Sequence, residues 1–266
     1  MLQIGITGAN GRMGRVLIEA IDHEPDTELA VATVRPSSSM LGVDIGELAG
    51  IGRRDLRTHS DLSHGAKSPQ VVIDFTLPGA LAANLQWCIA HNTPIVVGTT
   101  GLDPKQLENL REAANSIPVV FAANYSVGVN ILLNLVRQAA AVLGESADIE
   151  IIEAHHRFKR DAPSGTALAI GQAIADKLGR DLDSHAVYGR EGETGERAHD
   201  TIGFATVRGG DVVGEHTALF ADIGERLELT HKASSRLTFA KGAVRAAKWI
   251  AEKPPGLYSM QDVLGL

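Results

Sequence analysis

Between Gln3 and Ala122, short apolar runs alternate with helix-period patterns, and few architectures accept that order. The runs Gln3–Thr7, Glu28–Val34, Gln70–Phe75, Pro94–Val97 and Pro118–Ala122 are rich in Val and Ile and are closed by Gly, Pro, Thr or Asn, as strands are. Helical patterns fall at Arg12–Asp22, Ala80–His91 and Asp103–Asn115, the last opened by Asp-Pro. Strands that read as continuous apolar runs have both faces buried. Separated by helices, they predict a doubly wound parallel sheet in an α/β protein.

The pattern then changes. Val127–Leu143 reads as one long helix, with Val129, Leu132, Leu133, Val136, Ala140 and Leu143 on one side. Strand patterns follow at Asp148–His156, Ala186–Gly189, Thr201–Arg208, Val212–Asp222 and Arg226–Lys232, interrupted by one helix, Thr166–Leu178. Gly209-Gly210-Asp211 reads as a hairpin turn between two of them. This predicts an α+β domain with an open mixed sheet. One helix covers one face, and the other, taken to carry Leu227 and Leu229, is expected to pack against another subunit. Leu237–Ala251 returns to helix before a Pro-Pro break. The expected division is a dinucleotide-binding domain of 1–126 with 237–266, and a substrate-binding and oligomerisation domain of 127–236.

Composition narrows the function classes. A formal charge of −7 argues against nucleic acid, which needs a basic face. A single cysteine, Cys88 in an apolar helical stretch, excludes an internal disulfide and a multi-cysteine metal site, and reads as core. No metal is expected. No run of apolar residues is long enough to span a membrane, and MLQIGITG enters a strand at once, so a reducing, cytoplasmic location is the expectation.

Gly8-Ala9-Asn10-Gly11-Arg12-Met13-Gly14 lies at the first strand–helix turn. Glycines there let the backbone turn tightly and approach a pyrophosphate, which the helix N-terminus stabilises. The spacing is GxxGxxG, looser than the usual fingerprint, but its place in the alternating pattern reads as a Rossmann-like site. An NAD-selective site carries Asp or Glu roughly 20 residues further on. Here Val34 and Arg35 stand there, so nothing repels a 2′-phosphate and Arg35 can pair with it. NADPH is the expected cofactor and NADH the alternative. Gly98-Thr99-Thr100 and Ala122-Ala123-Asn124-Tyr125 end strands on the edge where such sheets bind ligands.

Glu153 to Ala167, EAHHRFKRDAPSGTA, concentrates histidines and cations in an acidic chain. Strand alternation puts Ile149, Ile151, Glu153 and His155 on one face and Glu150, Ile152, Ala154 and His156 on the other, so the two histidines do not share a metal. Ser164 is an expected N-cap, which offers the Gly165 and Thr166 amides to a carboxylate, with Lys159 adding a full charge. A small dianion with a histidine proton donor beside it fits this pattern.

With GANGRMGR, VVIDFTLP, GTTG, FAANYSVGVN and IGFATVRGGDVVGEHT, that segment resembles the 4-hydroxy-tetrahydrodipicolinate reductase (dihydrodipicolinate reductase) family in order along nearly the whole chain. The resemblance implies hydride transfer from NAD(P)H to a cyclic conjugated imine with two carboxylates, in the diaminopimelate route to lysine, by a homotetramer joined through its second-domain sheet. It implies that His155 and Lys159 form the proton-donating pair. His156, Gly165 and Thr166 then hold the substrate carboxylate, and Gly8–Met13, Gly98–Thr100 and Ala122–Tyr125 hold the cofactor. Arg236 and Phe239 are implied to touch the cofactor. Many members carry Glu where Val34 stands, and its absence favours NADPH. Imidazole has the better intrinsic pKa for donation near neutrality, so His155 is taken as donor with Lys159 assisting. Two rivals use the same features: a different NADP-dependent reductase of a small dicarboxylate, and a non-catalytic NADPH sensor.

Overall fold

The computed structural model describes residues 1–65 and 67–266, which form two compact units, Met1–Val127 with Arg236–Leu266, and Gly128–Ser235. In chain order the first stretch holds β1 (Leu2–Thr7), α1 (Arg12–His23), β2 (Thr27–Thr33), α2 (Ile45–Ala49) and β3 (Thr58–His59). It continues with β4 (Val71–Asp74), α3 (Pro78–Ala90), β5 (Ile95–Val97), α4 (Pro104–Ala114) and β6 (Pro118–Phe121). The middle of the chain comprises α5 (Val127–Leu143), β7 (Asp148–His155), α6 (Gly165–Leu178), α7 (Leu182–His185), β8 (Ala186–Tyr188), β9 (Ile202–Arg208), β10 (Gly214–Asp222) and β11 (Glu225–Ala233). The chain ends with α8 (Leu237–Ile250), β12 (Gly256–Tyr258) and α9 (Met260–Leu264).

The first unit is a Rossmann-like parallel sheet in the order β12-β6-β5-β4-β1-β2-β3. Its strands bury both faces. Ile4, Ile6, Val71, Ile73, Val96 and Val120 meet α1, α8 and α9 on one side. Val31, Val72, Ile95, Val97 and Val119 meet α3 and α4 on the other, with Cys88 among them. That burial raises the Cys88 thiol pKa far above its ordinary value, which leaves it inert. The Asp103 capping box with Gln106, followed by Pro104, starts α4 where the Asp-Pro signal predicts. β3, β12 and the five-residue α2 extend the expected pattern. The two edge strands are too short to show a period, and parallel pairing with β2 and β6 defines them.

The second unit is a mixed sheet in the order β11-β10-β7-β9-β8. β9 runs parallel to both β7 and β8, whereas β10 is antiparallel to β7 and β11. Three expectations are corrected. First, Gly209-Gly210-Asp211 is not a hairpin, because β7 lies between β9 and β10. The loop instead crosses the end of β7, where the Gly209 amide donates to the His155 carbonyl (2.9 Å) and the Arg157 amide donates to Gly210 (3.2 Å). The two-residue turn is Ile223-Gly224, between paired Asp222 and Glu225.

Second, two long helices, not one, supply the core of this unit. Leu132, Val136 and Ala140 of α5 join Ile170 and Ile174 of α6 against Ile149, Ile151, Phe204, Ala218 and Phe220. Third, Leu227 and Leu229 pair with Phe220 and Ala218, and so point to this covered face. The opposite face carries Ile152, Ala154, Ala205, Val207 and Leu219, with Ile152 40% and Val207 52% exposed.

Candidate active site

Three loops leave the carboxyl ends of parallel strands β1, β5 and β6 in the first unit. The glycine loop is anchored to the end of β2 by the Ala9 amide, which donates to the Thr33 carbonyl (2.8 Å). It is closed by the Gly11 amide on Gly8 (2.9 Å) and braced by Asn10 Nδ2 on Ser38 (3.3 Å). Gly8 adopts a positive φ of 73°, and a Cβ on Gly14 would overlap the Gly8 carbonyl oxygen. Gly11, the N-cap of α1, makes no side-chain cap, so first-turn amides are left for an anion. Arg12 is exposed and Met13 half-buried. This backbone cradle fits a dinucleotide pyrophosphate.

At the second position of interest, the Val34 side chain is buried in the core while its amide donates to His59 (2.8 Å), and Arg35 is exposed. Gly98 fits only without a side chain, since a Cβ there would overlap the Phe75 ring. Thr99 is buried, its hydroxyl donating to the Thr76 carbonyl (3.1 Å), and Thr100 is exposed. In the third loop Ala122 is half-buried, Ala123 is exposed, and Asn124 Oδ1 accepts from the Ser126 amide (2.8 Å). The Tyr125 side chain belongs to the core, its hydroxyl against the carbonyls of Val97 (2.8 Å) and Val120 (3.2 Å). Only the backbone of Tyr125 is thus left for a ligand. Arg236 precedes α8 and Phe239 lies in its first turn, both half-buried.

In the second unit β7 ends at His155, and the two histidines have different neighbours. His155 is buried on the face of Glu153, and its Nδ1 lies 2.6 Å from Glu153 Oε2. His156 follows the strand, its ring 6.3 Å from that of Phe158 between centroids, and its Nδ1 is buried with no hydrogen-bond partner among the described residues. Lys159 Nζ donates to both oxygens of Asp161 (3.0 and 2.8 Å). Ser164 caps α6 by accepting from the Ala167 amide (3.1 Å) and is itself buried. Gly165 is exposed and Thr166 half-buried in that first turn.

Glu153, Arg208 and His216 are functional candidates that the sequence reading passed over. Arg208 Nη1 and Nη2 each donate to Glu153 at 2.8 Å, a bidentate pair. Burial opposes ionisation of Glu153, yet the hydrogen bonds from Arg208 and His155 outweigh it and hold the carboxyl below its ordinary value. Burial pushes the His155 imidazole down, against the raising effect of Glu153. The spacing of Glu153 and His155, two apart on one strand, is the signal that was available for this pair. Arg208 and His216 come from β9 and β10 and leave no such local signal.

His216 is buried, its Nε2 lies 2.9 Å from Ser164 Oγ, and its ring meets His155 edge-on at 5.0 Å between centroids. Burial, reinforced by His155, pushes its pKa down to about 4. The unfolded chain therefore binds the extra proton first as pH falls from an ordinary histidine value of about 6.5. The contribution is fully present above that value and is lost through about pH 4. The melting temperature is expected to decline across this window, and His216→Gln should flatten the decline. Among the described residues no His, Cys, Asp and Glu cluster is placed to hold a metal ion, and no helix is long and apolar enough to cross a membrane.

Sequence and structure comparisons agree. The family model described as "Dihydrodipicolinate reductase, N-terminus" matches residues 2–125, and that described as "Dihydrodipicolinate reductase, C-terminus" matches 128–264. A 4-hydroxy-tetrahydrodipicolinate reductase of Pseudoalteromonas atlantica is 67% identical over 266 residues, covering 100% of both chains. One of Alkalilimnicola ehrlichii is 60% identical over 264 residues, covering 99% of each. In fold, the chain is similar to a dipicolinate-bound dihydrodipicolinate reductase of Paenisporosarcina sp. TG-14, with a TM-score of 0.77, 24% identity and 98% of each chain covered. With both halves matched and relatives alike from end to end, the chain belongs to the dihydrodipicolinate reductase family.

Proposed function

We propose that this oxidoreductase reduces 4-hydroxy-tetrahydrodipicolinate, by way of its dehydrated form, to tetrahydrodipicolinate, with His155 as proton donor and NADPH as the preferred cofactor. Family membership carries the reaction. The observation that supports the residue roles is a buried imidazole paired with a carboxylate, close in sequence to the capped start of α6.

Bound nicotinamide supplies the hydride to the electron-poor conjugated carbon. The neighbouring carbon takes a proton from His155 as the enamine collapses. Lys159, currently neutralised by Asp161, offers a cation to the developing charge or to a carboxylate. His156, whose Nδ1 has no partner among the described residues, and the Gly165–Thr166 backbone at the start of α6 bind a substrate carboxylate. Gly8–Met13, Gly98–Thr100 and the backbone of Ala122–Tyr125 hold the cofactor. The apolar face around Ile152 and Val207 supports assembly into a homotetramer, and light scattering in solution checks it.

The direct test is NADPH oxidation with the condensation product of pyruvate and aspartate semialdehyde. Turnover is expected. NADPH binding without turnover on any cyclic imine diacid identifies a sensor instead. Exposed Arg35, with no acid at Val34, supports the choice of NADPH. Arg35→Ala should raise KM for NADPH roughly tenfold or more, the size of a lost charge-assisted contact, while NADH kinetics stay near wild type. Equal effects on both cofactors would remove Arg35 from the 2′-phosphate site.

A further inference from the structure

Glu153 is 1% exposed, and both its oxygens accept hydrogen bonds. Oε2 takes His155 Nδ1 (2.6 Å) and Arg208 Nη1 (2.8 Å). Oε1 takes Arg208 Nη2 (2.8 Å), the backbone amide of Ser164 (3.1 Å) and, more distantly, the Thr206 hydroxyl (3.4 Å). Arg208 is held in turn, since β9 registers it opposite His155 and its nitrogens also donate to the carbonyls of Asp161 (2.6 Å) and Val207 (2.8 Å). One buried carboxylate therefore joins the histidine to the residue that starts α6.

We propose that Glu153, clamped by Arg208, is a positioning residue for the reduction. It fixes His155 with the hydrogen on Nδ1, so that Nε2 is the atom that carries the transferred proton. It also sets that atom in register with the α6 N-terminus. The catalytic half rests on His155 being the donor.

The chemistry follows from the acceptor count. A carboxylate already holding a guanidinium fork and an amide can meet Nδ1 only as an acceptor, so Nδ1 bears hydrogen. Nε2 lies beside Gly214, where a Cβ would approach to 3.1 Å and the absent side chain leaves space. The groups facing His155 are Glu153 on its own strand, Arg208 on β9, His216 on β10, and Lys159 with Asp161 on the loop after β7. Glu153 stabilises the imidazolium, and Arg208 and Lys159 oppose it. In the transfer the Nε2–H bond breaks and its electron pair stays on the ring, while the enamine C=C pair forms the new C–H bond. What remains is a neutral Nδ1–H imidazole with its bond to Glu153 intact, and Nε2 is reprotonated from solvent.

Long-range ¹⁵N NMR of histidine-labelled wild type, above the His155 titration, needs no variant. Hydrogen on Nδ1 and a bare Nε2 are expected, and the opposite tautomer overturns the proposal. In Glu153→Gln an amide offers one acceptor oxygen where two are used, so one side of the set is lost whichever way it turns. Its kcat should fall roughly 10- to 100-fold, less than the loss of the imidazole itself. The alkaline limb of kcat/KM should move to lower pH, and Glu153→Gln should add no further loss to His155→Gln. A purely structural role predicts equal losses in both backgrounds with the limb unmoved, which overturns it. A reversed tautomer together with an impaired His155→Gln removes the positioning and leaves the donor standing. An unimpaired His155→Gln removes both.

Discussion

Replacing His155 by Gln should lower kcat roughly 10²- to 10⁴-fold while KM for the substrate changes far less, because general acid catalysis acts on the transition state and contributes about that much. Gln keeps most of the volume and can still hydrogen-bond to Glu153, so the fold of the second unit should survive, which an unchanged melting temperature would verify. The pH profile carries more information than the single rate. The wild-type donor must be protonated, so kcat/KM should fall as pH rises through the His155 pKa. Burial holds that value below the ordinary one for the free enzyme. Substrate carboxylates add negative charge, so kcat should hold up to higher pH than kcat/KM. His155→Gln should lose this alkaline limb altogether. An unchanged kcat in the purified variant would sink the donor role.

The second large effect is expected on stability. A Cβ on Gly242 would overlap the carbonyl oxygen of Tyr125 and come within 2.8 Å of its carbonyl carbon. Both partners are backbone, so no rotamer change relieves the overlap. On one flank α8 buries Ala240, Ala243, Val244 and Ala247 in the core, and on the other Tyr125 is pinned by Val97 and Val120. Gly242→Ala should therefore destabilise the first unit by about 3 kcal/mol, despite the better helix propensity of alanine. Chemical denaturation followed by tryptophan fluorescence is a suitable readout, since Trp87 and Trp249 both lie in this unit. A loss below about 1 kcal/mol would mean that α8 can shift away from Tyr125 at little cost.

Much of the fold was legible in the sequence because burial on both faces leaves a simple mark. Val71–Val72–Ile73 and Ile95–Val96–Val97 can only be strands with a layer on either side. The errors came where a remote partner decides. Gly209-Gly210-Asp211 has hairpin chemistry, but β9 pairs with β7 and not with β10, and Glu153 precedes Arg208 by more than fifty residues. Leu227 and Leu229 alternate correctly, and only the register with Phe220 and Ala218 says which face they take. At the site, the segment from His155 to Thr166 announced itself by local charge and capping. The groups packed around His155 from other strands did not, because Arg208 and His216 are brought to it by the sheet.

The division into units bears on how the protein is made. Every strand of the mixed sheet, with α6 and α7, lies between residues 128 and 235, so the second unit is complete once Ser235 has been synthesised. The first unit starts earlier and finishes later. Its sheet lacks the α8 layer and the β12 edge until the last thirty or so residues emerge, leaving Ile4, Ile73, Val96 and Val120 without the cover of α8 and α9. On the ribosome, the half that begins second is the half that can fold first. The first unit keeps an apolar face open until α8 has emerged.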